Sequence, residues 1–441
     1  MNFKGFCIIT LFAALLAPFT GIAADTLTLE ESIDIALKRS LSISMAREGV
    51  KGAEARKREA MTGFLPKMNT AYNYTRLNED PGFFFQGIAP LIPAGTMITG
   101  TKDNYNWVIE ARQPVFAGGG ILANYQANKI AEDAARVEET AKIQQVVQDV
   151  KIAYFHILRA RRIQETAEQS VEMLNAHLGI ARNYYRVGLI PKNDLLQAEV
   201  ELANGKQALV RAKNAVTLAK SQFNTLLRRD LSDGADVVDI LTYQPMKQSY
   251  EACLETAKQN RPELKMAELA IAQAGKLVKA AQSDYFPAVS VSGNYARFGD
   301  NPSVSGSAYK DMESWTVMAV ASWNFWEWGK TKYRVDAVRA KERQAADAAR
   351  ELQDRVCLEI KQAYLALEED ANQIGISQKV IEQAEENFRI SEARYKERVA
   401  RSTEVLDAQT LLTKAKSDYA NALADYHISQ AKLQRAMGII K

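Results

Sequence analysis

Residues 185–202, YRVGLIPKNDLLQAEVEL, close one long helical pattern, turn at Gly188 and Pro191, and open another. The same turn returns 210 positions later in residues 395–412, YKERVARSTEVLDAQTLL. Tyr185 matches Tyr395, Asp194 matches Glu404, Leu196 matches Leu406, Ala198 matches Ala408 and Leu202 matches Leu412. A chain that builds one helical hairpin twice is an internal duplication, and each copy must carry the elements that lead into its hairpin.

Working outward from the turn, the helix before it reads from about Ile121 to Arg186, on the order of 100 Å at 1.5 Å per residue. Val147, Val150, Tyr154 and Ile157 fall at steps of three and four, and Cys357, Ile360, Tyr364 and Leu367 repeat those steps, which predicts coiled-coil packing. An Ala-rich helix returns from Asn193 to Leu227. Each long helix follows a glycine-bearing turn, FAGGG at 116–120 and WEWGK at 326–330. Neither has the Lys-Ser/Thr pair and glycine spacing of a phosphate loop.

Before those turns the period of the pattern changes from 3.6 to 2, just after Pro66 in one copy and Pro287 in the other. Val289, Val291 and Gly293 alternate with Ser290, Ser292 and Asn294; Tyr105, Trp107, Ile109 and Ala111 alternate with Asn106, Glu110 and Arg112. Trp315, Val317, Ala319, Ala321, Trp323 and Phe325 form the outward set of another strand. Each half thus carries two strands of about 9–12 residues, the length a tilted strand needs to cross hydrocarbon. Tyr72, Tyr74, Trp107, Trp315 and Trp323 are expected in interfacial aromatic girdles, with Trp326 and Trp328 nearby, rather than in an ordinary core. Glu110 and Arg112 are expected on the polar side. The loops joining the strand pairs differ, 77–102 against 299–311, and for the apolar Phe83, Phe84 and Phe85 local packing is expected.

The 441 residues carry 47% hydrophobic and 25% charged side chains and a formal net charge of +3, too near neutrality to favour nucleic acid as a partner. Lys4, an apolar run over 6–16 and small residues at Ala23 and Ala24 read as a secretory signal peptide over residues 1–24. The first repeat is placed at 25–228, a linker with Gly, Pro and Asp breaks at 229–249, and the second repeat at 250–441. His156, His177 and His427 are isolated, no nucleophile elbow or HExxH is present, and neither a catalytic, a cofactor nor a metal site is expected. The histidines read as satisfied surface or core residues.

Four amphipathic strands cannot close a barrel, and an open sheet edge in lipid leaves backbone groups unpaired at several kcal/mol each. The chain is therefore expected to oligomerise: two copies give eight strands and a filled barrel, three give twelve and an opening. Leu65-Pro66 and Phe286-Pro287 before strands, PVFAGG at 114–119, NRPEL at 260–264 and TEVLDAQ at 403–409 resemble the TolC family of outer-membrane efflux proteins, over essentially the whole mature chain. That resemblance implies a mixed α/β membrane protein, a homotrimer sharing one twelve-stranded transmembrane β-barrel in outer-membrane lipid, continued by a long α-helical barrel through the periplasm. It implies an exit duct for small molecules or proteins, served by a periplasmic adaptor protein and an inner-membrane pump or secretion transporter. It also implies an aperture at the hairpin turns, with Tyr395 and Asp194 forming a link, Glu404 and Asp407 forming acidic rings, and Arg401 standing in for the arginine replaced here by Ala400. Arg398 replaces the glycine matched by Gly188.

Two plainer readings compete. Glu404 and Asp194 open helices, where carboxylates favour the positive dipole end, although Asp407 lies a turn further in. A periplasmic adaptor or structural coiled coil would share the signal and hairpins, but it needs no tryptophan-bearing strands.

Overall fold

The computed structural model describes residues 26–441 apart from Ala89 and Ala235, so the signal peptide read at 1–24 lies outside the described residues. In chain order the elements are β1 (Thr26–Leu27), α1 (Leu29–Arg39), α2 (Leu41–Thr62), β2 (Lys67–Arg76), β3 (Gly82–Phe85), β4 (Gly95–Ile98), β5 (Asp103–Ala117), α3 (Gly120–Arg186) and α4 (Lys192–Leu227). There follow β6 (Asp236–Val237), α5 (Tyr250–Asn260), α6 (Pro262–Gln282), β7 (Ala288–Gly299), β8 (Glu313–Ser322), α7 (Lys330–Lys396) and α8 (Ser402–Ala436). The long helices α3 and α7 each hold 67 residues. The pattern read as one helix from Leu29 breaks at Ser40, whose extended φ −63°, ψ 125° opens α2. Its counterpart break falls at Arg261, held extended by the following Pro262.

The chain forms two compact units, each drawing on both halves of the sequence. One comprises 26–39, Asp149–Pro245 and Asp370–Ile428. Here β1 and β6 pair in parallel, and the fully buried Tyr154 donates its hydroxyl to Val238 O at 2.7 Å, with Leu27 O at 3.2 Å. Burial pushes the Tyr154 phenol up to about 12, the Val238 bond partly opposing it. Nearer the hairpin turns, Leu174, Leu178, Ala181, Ala198, Leu202 and Leu406 form an apolar cluster.

The other unit comprises Ser40–Gln148, Met246–Glu369 and Ser429–Lys441. Its sheet has the order β2-β5-β7-β8, antiparallel throughout, with β2 and β8 as edges. The register slips between Pro114 and Phe116 of β5, where proline has no N–H to give. The pairing puts Thr70, Ile109, Tyr295 and Trp315 in one rung and Tyr72, Trp107, Arg297 and Glu313 in the next, all on one face. Asn69, Glu110, Asn294 and Thr316 form a rung of the opposite face. The loop at 77–102 contains a second hairpin, β3 with β4, in which Phe83 faces Met97.

Between β5 and α3, Gly118 adopts φ 58°, and a Cβ there would lie 2.3 Å from Ser283 O. Gly118→Ala should therefore cost more than the roughly 1–2 kcal/mol of a left-handed alanine. A variant that melts with the wild type would show that the turn yields freely.

At the far end of the same unit, Arg261 is 8% exposed, donates to Glu263 at 3.2 Å and pairs with Glu359. Glu263 also accepts from Arg435 Nη2 at 2.5 Å, and Gln144 donates to Gly438 O at 2.8 Å. The α6 end is thus fastened to the chain end. Cys253 and Cys357 are free thiols, the first buried and the second half-buried.

Candidate functional site

Both hairpin turns are closed by one backbone device. The Gly188 N–H donates to Tyr185 O at 2.9 Å and the Leu189 N–H to Tyr184 O at 2.8 Å. In the second hairpin the Arg398 N–H donates to Tyr395 O at 3.0 Å and the Val399 N–H to Arg394 O at 2.9 Å. This pair of hydrogen bonds satisfies the last carbonyls of a helix and needs a left-handed residue after it. Gly188 supplies φ 75° without strain, whereas Arg398 takes φ 65° with a side chain, its guanidinium 5.9 Å from the Tyr184 ring.

Matched positions of the two hairpins diverge in what they touch. Tyr185 is 40% exposed, but Tyr395 is 3% exposed, its ring 4.9 Å from His177 and 5.7 Å from Tyr184. Burial raises the Tyr395 phenol above its ordinary value, against the effect of the neighbouring Ser402, with Tyr184 and Asp194 adding to the rise. Among the described residues the Tyr395 hydroxyl is buried without a hydrogen-bond partner, its ring turned into this aromatic stack. Asp194 is half-buried in the first turn of α4.

Glu404 Oε1 accepts from the Arg401 backbone N–H at 3.3 Å, and Oε2 lies 3.4 Å from Arg394 Nη1. It closes the start of α8 as a capping glutamate does. Arg401 is exposed and enters this arrangement through its backbone. Asp407 is exposed one turn further on, without an ion pair among the described residues. Sequence reading missed the groups that join the hairpins: His177 to Ser402, Tyr184 to Lys396 O at 3.0 Å, and Gln409 to Ser170 O at 2.9 Å. Each partner lies more than 200 residues away, so no local pattern marks it.

In the sheet, Tyr72, Tyr74, Trp107 and Trp315 share one face. Trp315 is 76% exposed, Trp107 Nε1 donates to Thr70 Oγ1 at 2.9 Å, and the Tyr74 hydroxyl donates to Asp103 at 2.7 Å. Trp323 lies one residue beyond β8 rather than within it, donating to Tyr285 O at 3.1 Å. Among the described residues no helix is long and apolar enough to cross a membrane.

The sequence model of the family described as "Outer membrane efflux protein" matches residues 32–227 and 253–439. The chain belongs to the outer membrane efflux protein family. Among its relatives, Protein CyaE of Bordetella pertussis is 24% identical over 297 residues, 66% of this chain and 59% of that protein's length. Outer membrane protein TolC of Vibrio cholerae is 22% identical over 409 residues, 91% of this chain and 87% of that protein. Among solved structures, the Campylobacter jejuni CmeC outer membrane channel shares the fold with a TM-score of 0.79, at 17% identity over 93% of this chain and 85% of its own. As an outer membrane efflux protein, the chain has the mixed helical and stranded architecture of a TolC-like channel. It is an exit duct rather than an enzyme, placed in the outer membrane and extending into the periplasm.

Proposed function

We propose that three copies close a twelve-stranded transmembrane β-barrel, four strands from each, by pairing β2 of one copy with β8 of the next. The observation that carries this is the sheet itself: two unpaired edges flank a face bearing Ile109, Trp315 and Val317. In lipid each unpaired backbone group costs several kcal/mol, so the edges must meet. Tyr72, Tyr74, Trp107, Trp315 and Trp323 act as the aromatic girdle, while Glu110 and Arg112 line the lumen. The hairpins of α3 with α4 and α7 with α8 continue the duct as an α-helical barrel. Their turns form its entrance, with Asp194, Tyr395, Arg401, Glu404 and Asp407 at the aperture. Cargo, whether small molecules or proteins, arrives from an inner-membrane transporter through a periplasmic adaptor. The paired 67-residue helices support division into repeats at 25–228 and 250–441 joined by the linker at 229–249. The alternative of a periplasmic adaptor or plain coiled coil leaves the exposed aromatic sheet face without use.

Light scattering corrected for bound detergent should return a mass three times that of the mature chain. A monomer or a dimer overturns the barrel.

A further inference from the structure

The imidazole of His177 is 5% exposed, on α3 about three turns before the first hairpin turn. Its Nε2 lies 2.8 Å from Ser402 Oγ, at the first residue of α8, and its ring lies against Tyr395 of α7, 4.9 Å between centroids. Tyr395 leans in turn on Tyr184 of α3, whose hydroxyl donates to Lys396 O. One side chain of the first hairpin therefore touches both helices of the second where it turns. The imidazole also sits at the positive end of α8, a poor place for a cation.

The charges around it offer little compensation. From α7, Glu392 favours the cationic ring, but its carboxylate is engaged by Lys396 at 2.9 Å. From α8, Glu404 is committed to Arg394 and the Arg401 N–H. From α4, Asp194 acts on Tyr395, against which Tyr184 of α3 also packs. Arg398, beyond Tyr184, is a further positive charge. Among the described residues no carboxylate bonds the imidazole directly. The Tyr395 face attracts a cation weakly, and that attraction is small beside the loss of hydration.

We propose that His177 is a proton-operated latch: neutral, it fastens the second hairpin turn to the first through Ser402 and Tyr395, and on protonation it leaves that pocket and frees the turns. This rests on the reading of the turns as the periplasmic aperture, so acidification would open the duct from the entrance. Burial lowers the affinity of His177 for a proton, with Glu392 partly opposing it. The latch is therefore at full strength above the ordinary histidine value of about 6.5 and weakens as pH falls from there to the lowered value of the buried ring.

Hydrogen exchange of the amides in 395–402, corrected for the intrinsic effect of pH, reads the latch, and planar-bilayer conductance reads the aperture. In the wild-type oligomer, protection should fall by up to about tenfold per pH unit as pH drops below about 6.5, with a parallel rise in conductance. In His177→Gln, which retains a polar group but cannot take the charge, both should be flat across that range. If the two proteins lose protection alike, the latch is overturned. If protection follows His177 while conductance does not change, the latch stands and the aperture reading fails. Should His177→Gln not assemble, carbon-13 histidine spectra of the wild type decide. The His177 signal must titrate in step with the exchange, and a titration at or above the ordinary value overturns the proposal.

Discussion

Glu263→Ala is expected to destabilise the protein by about 3 kcal/mol, the low end of the range for stripping one partner from a buried ion pair, because its carboxylate is 28% exposed. The carboxylate stands between two guanidiniums, Arg261 and Arg435, whose side chains are 8% and 11% exposed. Arg435 already holds Nε and Nη1 buried without a partner, so Glu263 provides its only hydrogen bond among the described residues. Removing it leaves Arg435 without a partner, while Arg261 keeps Glu359. The double variant Glu263→Met, Arg435→Met removes both the carboxylate and the more dependent cation, and should recover most of the loss. Thermal unfolding of the detergent-solubilised oligomer measures both, and a single variant as stable as the double would show that water reaches the site. Burial disfavours the charged Glu263, but the Arg435 bond, its own backbone N–H and the Arg261 charge together hold its pKa below the usual carboxylate value. Its stabilisation is therefore present above about pH 4.3, the unfolded value, and is lost as pH falls through the lowered folded one. The Ala variant should lack that acid step.

Glu404→Ala with Asp407→Ala should weaken cation selectivity and block by multivalent cations in planar bilayers, and the single variants should differ. Glu404 is occupied by Arg394 and the Arg401 N–H, so its loss should act first on the turn, costing about 1 kcal/mol of capping. Asp407 is exposed and unpaired among the described residues, which leaves its charge for passing ions. Each carboxylate about 4 Å from a cation contributes on the order of 1 kcal/mol in water-like surroundings. In the proposed trimer, three Asp407 copies would account for a block roughly 100-fold tighter. If Asp407→Ala keeps wild-type block while Glu404→Ala abolishes it, the assignments are reversed.

How legible these features were depended on the length of the pattern behind them. The 67-residue α3 ended where periodicity placed it, at Arg186, because eighteen turns of repeated spacing average out local noise. The starts of β2 and β7 were legible because Pro66 and Pro287 mark a change of period. Three consecutive phenylalanines carry no alternation, so β3 passed for loop, and the two-residue strands β1 and β6 are too short for any period. At the hairpin turns, residue identity showed Tyr185 and Tyr395 as equals, yet only Tyr395 meets a histidine across the fold. Which of two matched residues turns inward is decided by the neighbouring hairpin, and that lies outside any local window. The same holds for His177, whose partners on α7 and α8 give it a role that spacing along α3 does not reveal.

The two edges of the sheet, β2 and β8, are different strands, so in the proposed trimer copies join head to tail and each contributes one edge of each kind to the ring. A chain with a spoiled β2 still presents a sound β8 and is taken up by normal neighbours, leaving a seam that none of them can close. Such an allele should behave as dominant: in a cell expressing it beside the normal gene, the intact rings lost exceed the defective share of the chains. An allele that destroys both edges is excluded from assembly and should be recessive.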